Sequence, residues 1–162
     1  MAETRSLEPD EWEFWDTWMR AQRLLARELE RGLQRDCDIS KAEFSVLVTL
    51  WRDSGREMRV SELSESLDWD KGRVSHQLTR MENRGFVTRT RYGSDGRRAG
   101  IALTAEGRRA AQRAILVHAG NIRRHVLDPL TPEQASVIRA WSERTLDRIE
   151  PHHGATAGDR AS

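Results

Sequence analysis

Cysteine is almost absent: Cys37 stands alone among 162 residues. That excludes a disulfide within the chain and a multi-cysteine zinc site. Long apolar runs are missing as well. None approaches the roughly 20 residues a membrane span needs, so no membrane partner is expected. The first residues are acidic and carry no apolar signal segment, which makes a cytoplasmic location the expectation. His118 and His125 lie seven apart, and His152 with His153 fall in a small, polar tail, so no metal site is expected. The sequence also lacks a nucleophile–base pair, a phosphate-cradling glycine loop and an HExxH-type motif. It is therefore not read as an enzyme, and it implies no cofactor.

What is present is charge, unevenly placed. The whole chain has a formal net charge of +1, with 33% charged and 37% hydrophobic residues. Between Lys71 and Arg113, eleven basic residues face three acidic ones, a local net of +8. The remainder is correspondingly acidic. A cationic module on an acidic body is the electrostatic footprint of a nucleic-acid binder. Arginine replaces lysine almost everywhere, with Lys41 and Lys71 the two lysines. Arginine forks suit phosphates and guanine edges. Because arginine also dots the acidic body, the general bias is read as GC-rich codon usage.

The apolar residues recur at helical spacing through most of the chain. Asp10 to Leu33 reads as a long helix with Trp15, Trp18, Leu25 and Leu29 near one stripe. Ser40 and Glu43 form a capping box before a helix through Phe44, Leu47, Val48 and Trp51, ended by Gly55. A short helix follows over Ser61 to Leu67. Asp70 caps the next one, whose inner stripe is Val74, Leu78 and Met81 and whose end is marked by Gly85. Phe86 to Tyr92 alternates as a strand, residues 93–96 form a turn, and Ile101 to Leu103 return. Thr104 caps a helix running to about Leu127. Thr131, Pro132 and Gln134 start a last helix through Ile138, Trp141 and Ile149. The tail from His152 is small and polar, and is expected to be disordered.

The expected fold is mainly α, with a small β-hairpin wing on a helix-turn-helix. The long terminal helices carry more apolar surface than they can bury alone and are expected to serve dimerisation. Residues 1–39 form the N-terminal dimerisation helix, 40–107 the winged helix-turn-helix, 108–150 the C-terminal dimerisation helices and 151–162 the tail. Helical spacing places Arg73, Gln77 and Arg80 on one outer row, with Ser75 and His76 beside them. Arg can pair with guanine and Gln with adenine in the major groove of double-stranded DNA. Lys71 adds charge at the helix N-terminus, where a phosphate can sit. In the hairpin, Arg89 and Arg91 share a strand face, while Arg97 and Arg98 sit at the turn, placed for phosphates or a narrow minor groove. Asp95, two residues earlier, is expected to orient Arg97.

These segments together resemble the MarR family of winged helix-turn-helix transcriptional regulators. The resemblance is carried by Leu63 with Leu67, by SHQLTRMENRGFV from Ser75 to Val87, and by DGRRAGIALTAEG from Asp95 to Gly107. The last run matches a wing signature, D-x-R followed by L-T-x-x-G. The middle run is similar to an actinobacterial branch. Two residues depart from the pattern: Ser64 stands where Ala is common, and Asp68 where Gly is frequent.

The resemblance implies a homodimer acting as a repressor at a palindromic operator. Trp12, Trp15, Trp18, Trp141 and Leu146 support dimerisation independently, being too much apolar surface for end helices to leave in water. It further implies a cleft for a small aromatic or phenolic effector, with Trp15, Trp18, Trp51 and His118 as lining residues. Two alternatives stand beside this reading. One is a winged-helix scaffold or protein-interaction module without specific DNA binding. The other is a redox sensor acting through Cys37, disfavoured because Asp36 and Asp38 flank the thiol and Tyr92 is the sole tyrosine.

Overall fold

The structure, a computed structural model, describes residues 6–53, 57–92 and 98–150. It divides into two compact units, Met1–Ile122 and Arg123–Ser162. The first holds α1 (Pro9–Cys37), α2 (Lys41–Arg52), β1 (Glu57–Arg59), α3 (Val60–Leu67), α4 (Lys71–Asn83), β2 (Val87–Tyr92), β3 (Arg98–Leu103) and α5 (Ala105–Ile122). The second holds a π-helical turn (Arg123–Leu127) and α6 (Pro132–Ile149). The expected tail from residue 151 lies outside the described residues, as do Gly93 to Arg97 of the hairpin turn.

The helix starts follow from capping chemistry. The Ser40 amide donates to Glu43 Oε2 at 2.9 Å, and the Glu43 amide donates to Ser40 Oγ at 3.2 Å. The Arg73 amide donates to Asp70 Oδ1 at 2.8 Å, which starts α4. Thr131 and Gln134 exchange the same pair of bonds at α6, behind Pro132 in the first turn. The ends are equally local. Gly85 takes φ +74 just past α4. Asp38 after α1 and Asp68 after α3 also adopt left-handed backbone, with φ 53 and φ 50. Asp tolerates this region better than most side-chain-bearing residues. Asp68 therefore takes the place of the glycine that the family pattern favours there.

The sheet has a strand that the sequence pattern does not predict. The order is β1-β3-β2, with both pairs antiparallel. Met58 of β1 pairs with Ile101, which on its other side pairs with Arg89. β1 is only three residues long, too short to show an alternating pattern, and it is held by pairing with a strand some 40 positions away. The hairpin is thus not a free two-stranded ribbon. Its β2 is one edge of a small sheet whose centre is β3 and whose other edge, β1, leads into α3. The other addition is the π-helical turn at Arg123–Leu127, which follows α5 inside the stretch expected to be one helix.

The core of the first unit gathers Val46, Leu47 and Leu50 of α2, Leu63 of α3, Val74, Leu78 and Met81 of α4, Ile101 and Leu103 of β3, and Ala111 and Ala114 of α5. Burying a Leu- or Val-sized side chain contributes about 1.5–3 kcal/mol, so this cluster fixes where α4 and the sheet sit. Along α1, by contrast, only Gly32 and Leu33 are buried. Trp18, Leu25 and Leu29 of the expected stripe are half-buried, and Trp15 is exposed.

One polar clasp joins the base of α4 to the α1–α2 junction. Arg84 donates through Nη1 to Glu43 Oε1 at 2.8 Å. Through Nη2 it donates to the Asp38 carbonyl at 2.9 Å and to Asp38 Oδ2 at 3.0 Å. Its guanidinium also lies over the Phe86 ring, 4.8 Å from the centroid. Burial tends to raise the Glu43 pKa, but bonds from Ser40 and the Arg84 charge outweigh it and hold the carboxyl below its ordinary value. A depressed carboxyl contributes stability above its unfolded-state pKa, about 4.3, and loses it as pH falls through the lower folded value. Chemical denaturation of the parent and Glu43→Gln should therefore show a stability gap at neutral pH. The gap should close as pH falls through the acid range. A gap independent of pH would show that charge at Glu43 is not its source.

Candidate nucleic-acid interface

α3, the turn through Asp68 and Trp69, and α4 form a helix-turn-helix. The turn is closed by the Trp69 amide donating to the Ser64 carbonyl at 3.1 Å. The Ser64 hydroxyl donates to the Trp69 carbonyl at 2.6 Å. An alanine at 64 could not make that second bond, so both departures from the family pattern find their use in this turn.

α4 has one buried and one open side. Val74, Gln77, Leu78 and Met81 are buried. Lys71, Arg73, Ser75, His76, Thr79 and Arg80 are exposed. The structure corrects the outer row at Gln77: only 7% of it is accessible, so it does not share the open surface with Arg73 and Arg80. Gln77 lies three residues after Val74 and four before Met81, which are also inward spacings. Thr79 is the converse case. It is exposed on the open side, yet its hydroxyl and methyl give no charge signal by which sequence reasoning could find it. Its hydroxyl donates to the Ser75 carbonyl at 3.0 Å.

The arginines of the cationic segment divide by role. Arg84 is committed to Asp38 and Glu43. Arg108 donates to the Leu103 carbonyl at 2.9 Å, and Arg113 donates to the Asp36 carbonyl. Arg89 meets Glu82 at 3.3 Å, joining β2 to the end of α4. Arg109 pairs with Glu106 one turn away. Lys71, Arg80 and Arg91 are exposed and make no ion pair among the described residues. Arg73 lies over the indole of Trp69, with 4.1 Å from its Cζ to the ring centroid. Asp95 and Arg97 lie outside the described residues, as does the side chain of Arg98.

The hairpin is welded to the helices at its return end. The Thr104 amide donates to the Phe86 carbonyl at 3.1 Å, and its hydroxyl donates to the Gly85 carbonyl at 2.6 Å. The Gly107 amide donates to that same hydroxyl at 2.9 Å. A Cβ at Gly107 would stand 1.9 Å from the Phe86 carbonyl oxygen. Thr104 and Gly107 are the fixed letters of L-T-x-x-G, and the geometry accounts for both.

Of the expected effector residues, Trp15 and Trp18 lie far along α1 from the stretch that meets His118 and its neighbours on α5. His118 lies tilted against the Phe44 ring, with centroids 4.7 Å apart and planes at 50°. Asn121, one turn on, faces Gly32 of α1. Trp18 lies about 21 Å along α1 from Gly32 at the usual helical rise, and Trp15 lies farther. Trp51 packs against the core. His118 Nδ1 and Asn121 Nδ2 are buried without a hydrogen-bond partner among the described residues. Burial lowers the His118 pKa and so favours the neutral ring. Burial also raises the Cys37 pKa, only partly opposed by Arg113, which disfavours the reactive thiolate.

A helix-turn-helix with an open cationic face, flanked by a sheet whose outer strand carries further arginine, defines a winged-helix DNA-binding protein. The MarR family model matches residues 39–99. The fold is similar to that of AbsC, a MarR family transcriptional regulator from Streptomyces coelicolor. The TM-score is 0.79 and the identity 32%, over 92% of this chain and 100% of that one. It is likewise similar to Sco3205, a MarR family transcriptional regulator from the same organism, in complex with DNA. Here the TM-score is 0.80 and the identity 30%, over 96% and 97% of the two chains. The HTH-type transcriptional regulator PecS of Dickeya dadantii (strain 3937) is 28% identical over 137 residues, covering 84% of this chain and 79% of the relative. This chain belongs to the MarR family of transcriptional regulators. Homodimerisation and ligand response are typical of that family. The family and these relatives are named as transcriptional regulators. Among the described residues no helix is long and apolar enough to cross a membrane.

Proposed function

We propose that this protein is a cytoplasmic, homodimeric repressor that releases a palindromic operator when a small effector binds. The observation that carries the reading is the split of α4: an apolar side locked into the core and an open side bearing Lys71, Arg73, Ser75, His76 and Arg80. Such a helix fits the major groove, where Arg80 and Arg73 reach guanine edges and Ser75 and His76 fill in polar contacts. Lys71 and the helix N-terminus hold a phosphate. Arg91, with Arg97 and Arg98 near the hairpin tip, grips the flanking backbone or minor groove, and Asp95 orients Arg97. Gln77 is left out of the base-reading set because of its burial. Trp12 at 50% exposure, Trp141 at 45% and Leu146 at 55% support a second copy as partner. A two-fold pair sets its reading helices about 34 Å apart, one turn of DNA.

The division proposed is a reading module over 40–107 between dimerisation segments 1–39 and 108–150. For the effector, the buried unpartnered atoms of His118 and Asn121 offer polar anchoring beside Phe44. Buried polar groups normally have a partner, and a planar phenolic ligand supplies one. Trp15 and Trp18 would have to come from the other copy. An effector that prefers a spacing of the reading helices unsuited to DNA lowers affinity by population shift.

The deciding experiment selects bound duplexes from a random pool and then titrates the best site and a scrambled one at several salt concentrations. Arg80→Ala should cost about 1–3 kcal/mol on the selected site and relax preference at one position. Arg91→Ala should weaken both duplexes alike and flatten the salt dependence by about one ion. Equal losses on selected and scrambled DNA from Arg80→Ala would rule out base reading by that residue. A pool showing no sequence preference would favour the scaffold alternative.

A further inference from the structure

We propose that Trp69 is a positioning residue for DNA recognition: its indole face holds the Arg73 guanidinium ready for the DNA surface. The inference rests on reading α4 as the DNA-contacting helix. It goes beyond that reading by assigning a role to a residue in the turn, outside the contact row.

Three observations carry it. Arg73 lies over Trp69 at 4.1 Å, within the distance at which a guanidinium is attracted to an indole face. Trp69 is half-buried and packed against the core cluster, so its ring has a fixed seat while one face stays open to Arg73. The backbone beneath it is closed by the paired Ser64–Trp69 bonds and by left-handed Asp68. Platform and arginine are four residues apart, across the N-cap Asp70, at the point where α4 leaves the turn.

The physical consequence concerns entropy. A free arginine loses much rotamer freedom when it docks on a base or phosphate. Stacked on Trp69, Arg73 has lost part of that freedom before DNA arrives. The stack leaves the guanidinium edge, with its fork of N–H donors, free for acceptors on DNA. The aromatic face holds the cation without engaging those donors, which a carboxylate would occupy. Arg89 with Glu82 is the contrasting case in the same module.

The test is a double-mutant cycle on the full-length protein, read as affinity for the selected operator and for each single-base variant. Arg73→Ala and Trp69→Leu are measured singly and together, with Trp69→Phe as the conservative variant. Trp69→Leu should weaken operator binding about two- to fivefold, the range expected of an exposed cation–π contact. In the Arg73→Ala background the same change should have no effect. Trp69→Phe should recover part of the loss, and the altered base preference should match that of Arg73→Ala. A ring with a merely structural role would lower the melting temperature without changing base preference. If Trp69→Leu folds poorly, the cycle runs with Trp69→Phe alone. Equal effects of the Trp69 change with and without Arg73 would overturn the inference while leaving Arg73 as a DNA contact. No effect of Arg73→Ala on any duplex would remove the reading of Arg73 itself, and the inference with it.

Discussion

Gly107→Ala should destabilise this protein more than the same change at Gly32, Gly72, Gly85 or Gly120. The added Cβ would lie 1.9 Å from the Phe86 carbonyl oxygen and 2.8 Å from its carbonyl carbon. Both are backbone atoms, so no rotamer change relieves the clash. The Phe86 carbonyl is already fixed by the Thr104 amide and hydroxyl. Either α5 must lift off β2 or the Thr104 cap must break. The expected cost is about 3 kcal/mol or more, at the upper end for overpacking. For a chain of this size that lowers the melting temperature by roughly 6–12 °C. Gly120→Ala is the control. It lies on the same helix with nothing within 4 Å of the new methyl, and should be neutral or stabilise by about 0.5–1 kcal/mol. Urea unfolding of both variants decides the matter. A loss below about 1 kcal/mol for Gly107→Ala would mean the helix start is looser than the geometry indicates.

Arg84→Met should come next in magnitude. Methionine keeps an unbranched apolar stem that can lie along the Phe86 ring but removes the charge. The Glu43 side chain is only 4% exposed, so its carboxylate would stay buried with the two Ser40 donors alone. Breaking a buried pair costs about 3–5 kcal/mol. Arg84 is itself 37% exposed and the Ser40 bonds survive, so screening reduces the expected loss to about 2 kcal/mol. The double variant Arg84→Met with Glu43→Gln should regain a good part of it, because no orphaned charge remains. If the double variant is no more stable than Arg84→Met, the loss comes from packing over Phe86 rather than from the carboxylate.

Such clasps mark the limit of what the sequence discloses. The helix starts are legible because Ser40 with Glu43, Asp70, and Thr131 with Gln134 are local chemistry, complete within four residues. Arg84 is not. Its partners are 41 and 46 positions away, so by composition it counts as one more cation for DNA. β1 is hidden for a related reason: Glu57–Arg59 becomes a strand because β3 lies beside it. Gln77 misleads because three- and four-residue spacings connect it equally well to the apolar and the basic rows, and packing decides between them. The row of Arg73, Ser75, His76 and Arg80 is legible as an exposed surface, as is the wing signature around Thr104 and Gly107. The platform under Arg73 is not, because Trp69 lies in a turn where neither helical nor strand periodicity applies.

The central place of β3 has a mechanical consequence. Its Ile101 is paired with Met58 on one flank and with Arg89 on the other. Met58 is two residues from the first residue of α3. A pull on the arginine-bearing ribbon is therefore borne by the strand that leads into the helix-turn-helix, as a lever is borne by its fulcrum. Ribbon and reading helix should engage the duplex as one stiff body. Amides in the middle strand should be among the slowest in this unit to trade their hydrogens for deuterium.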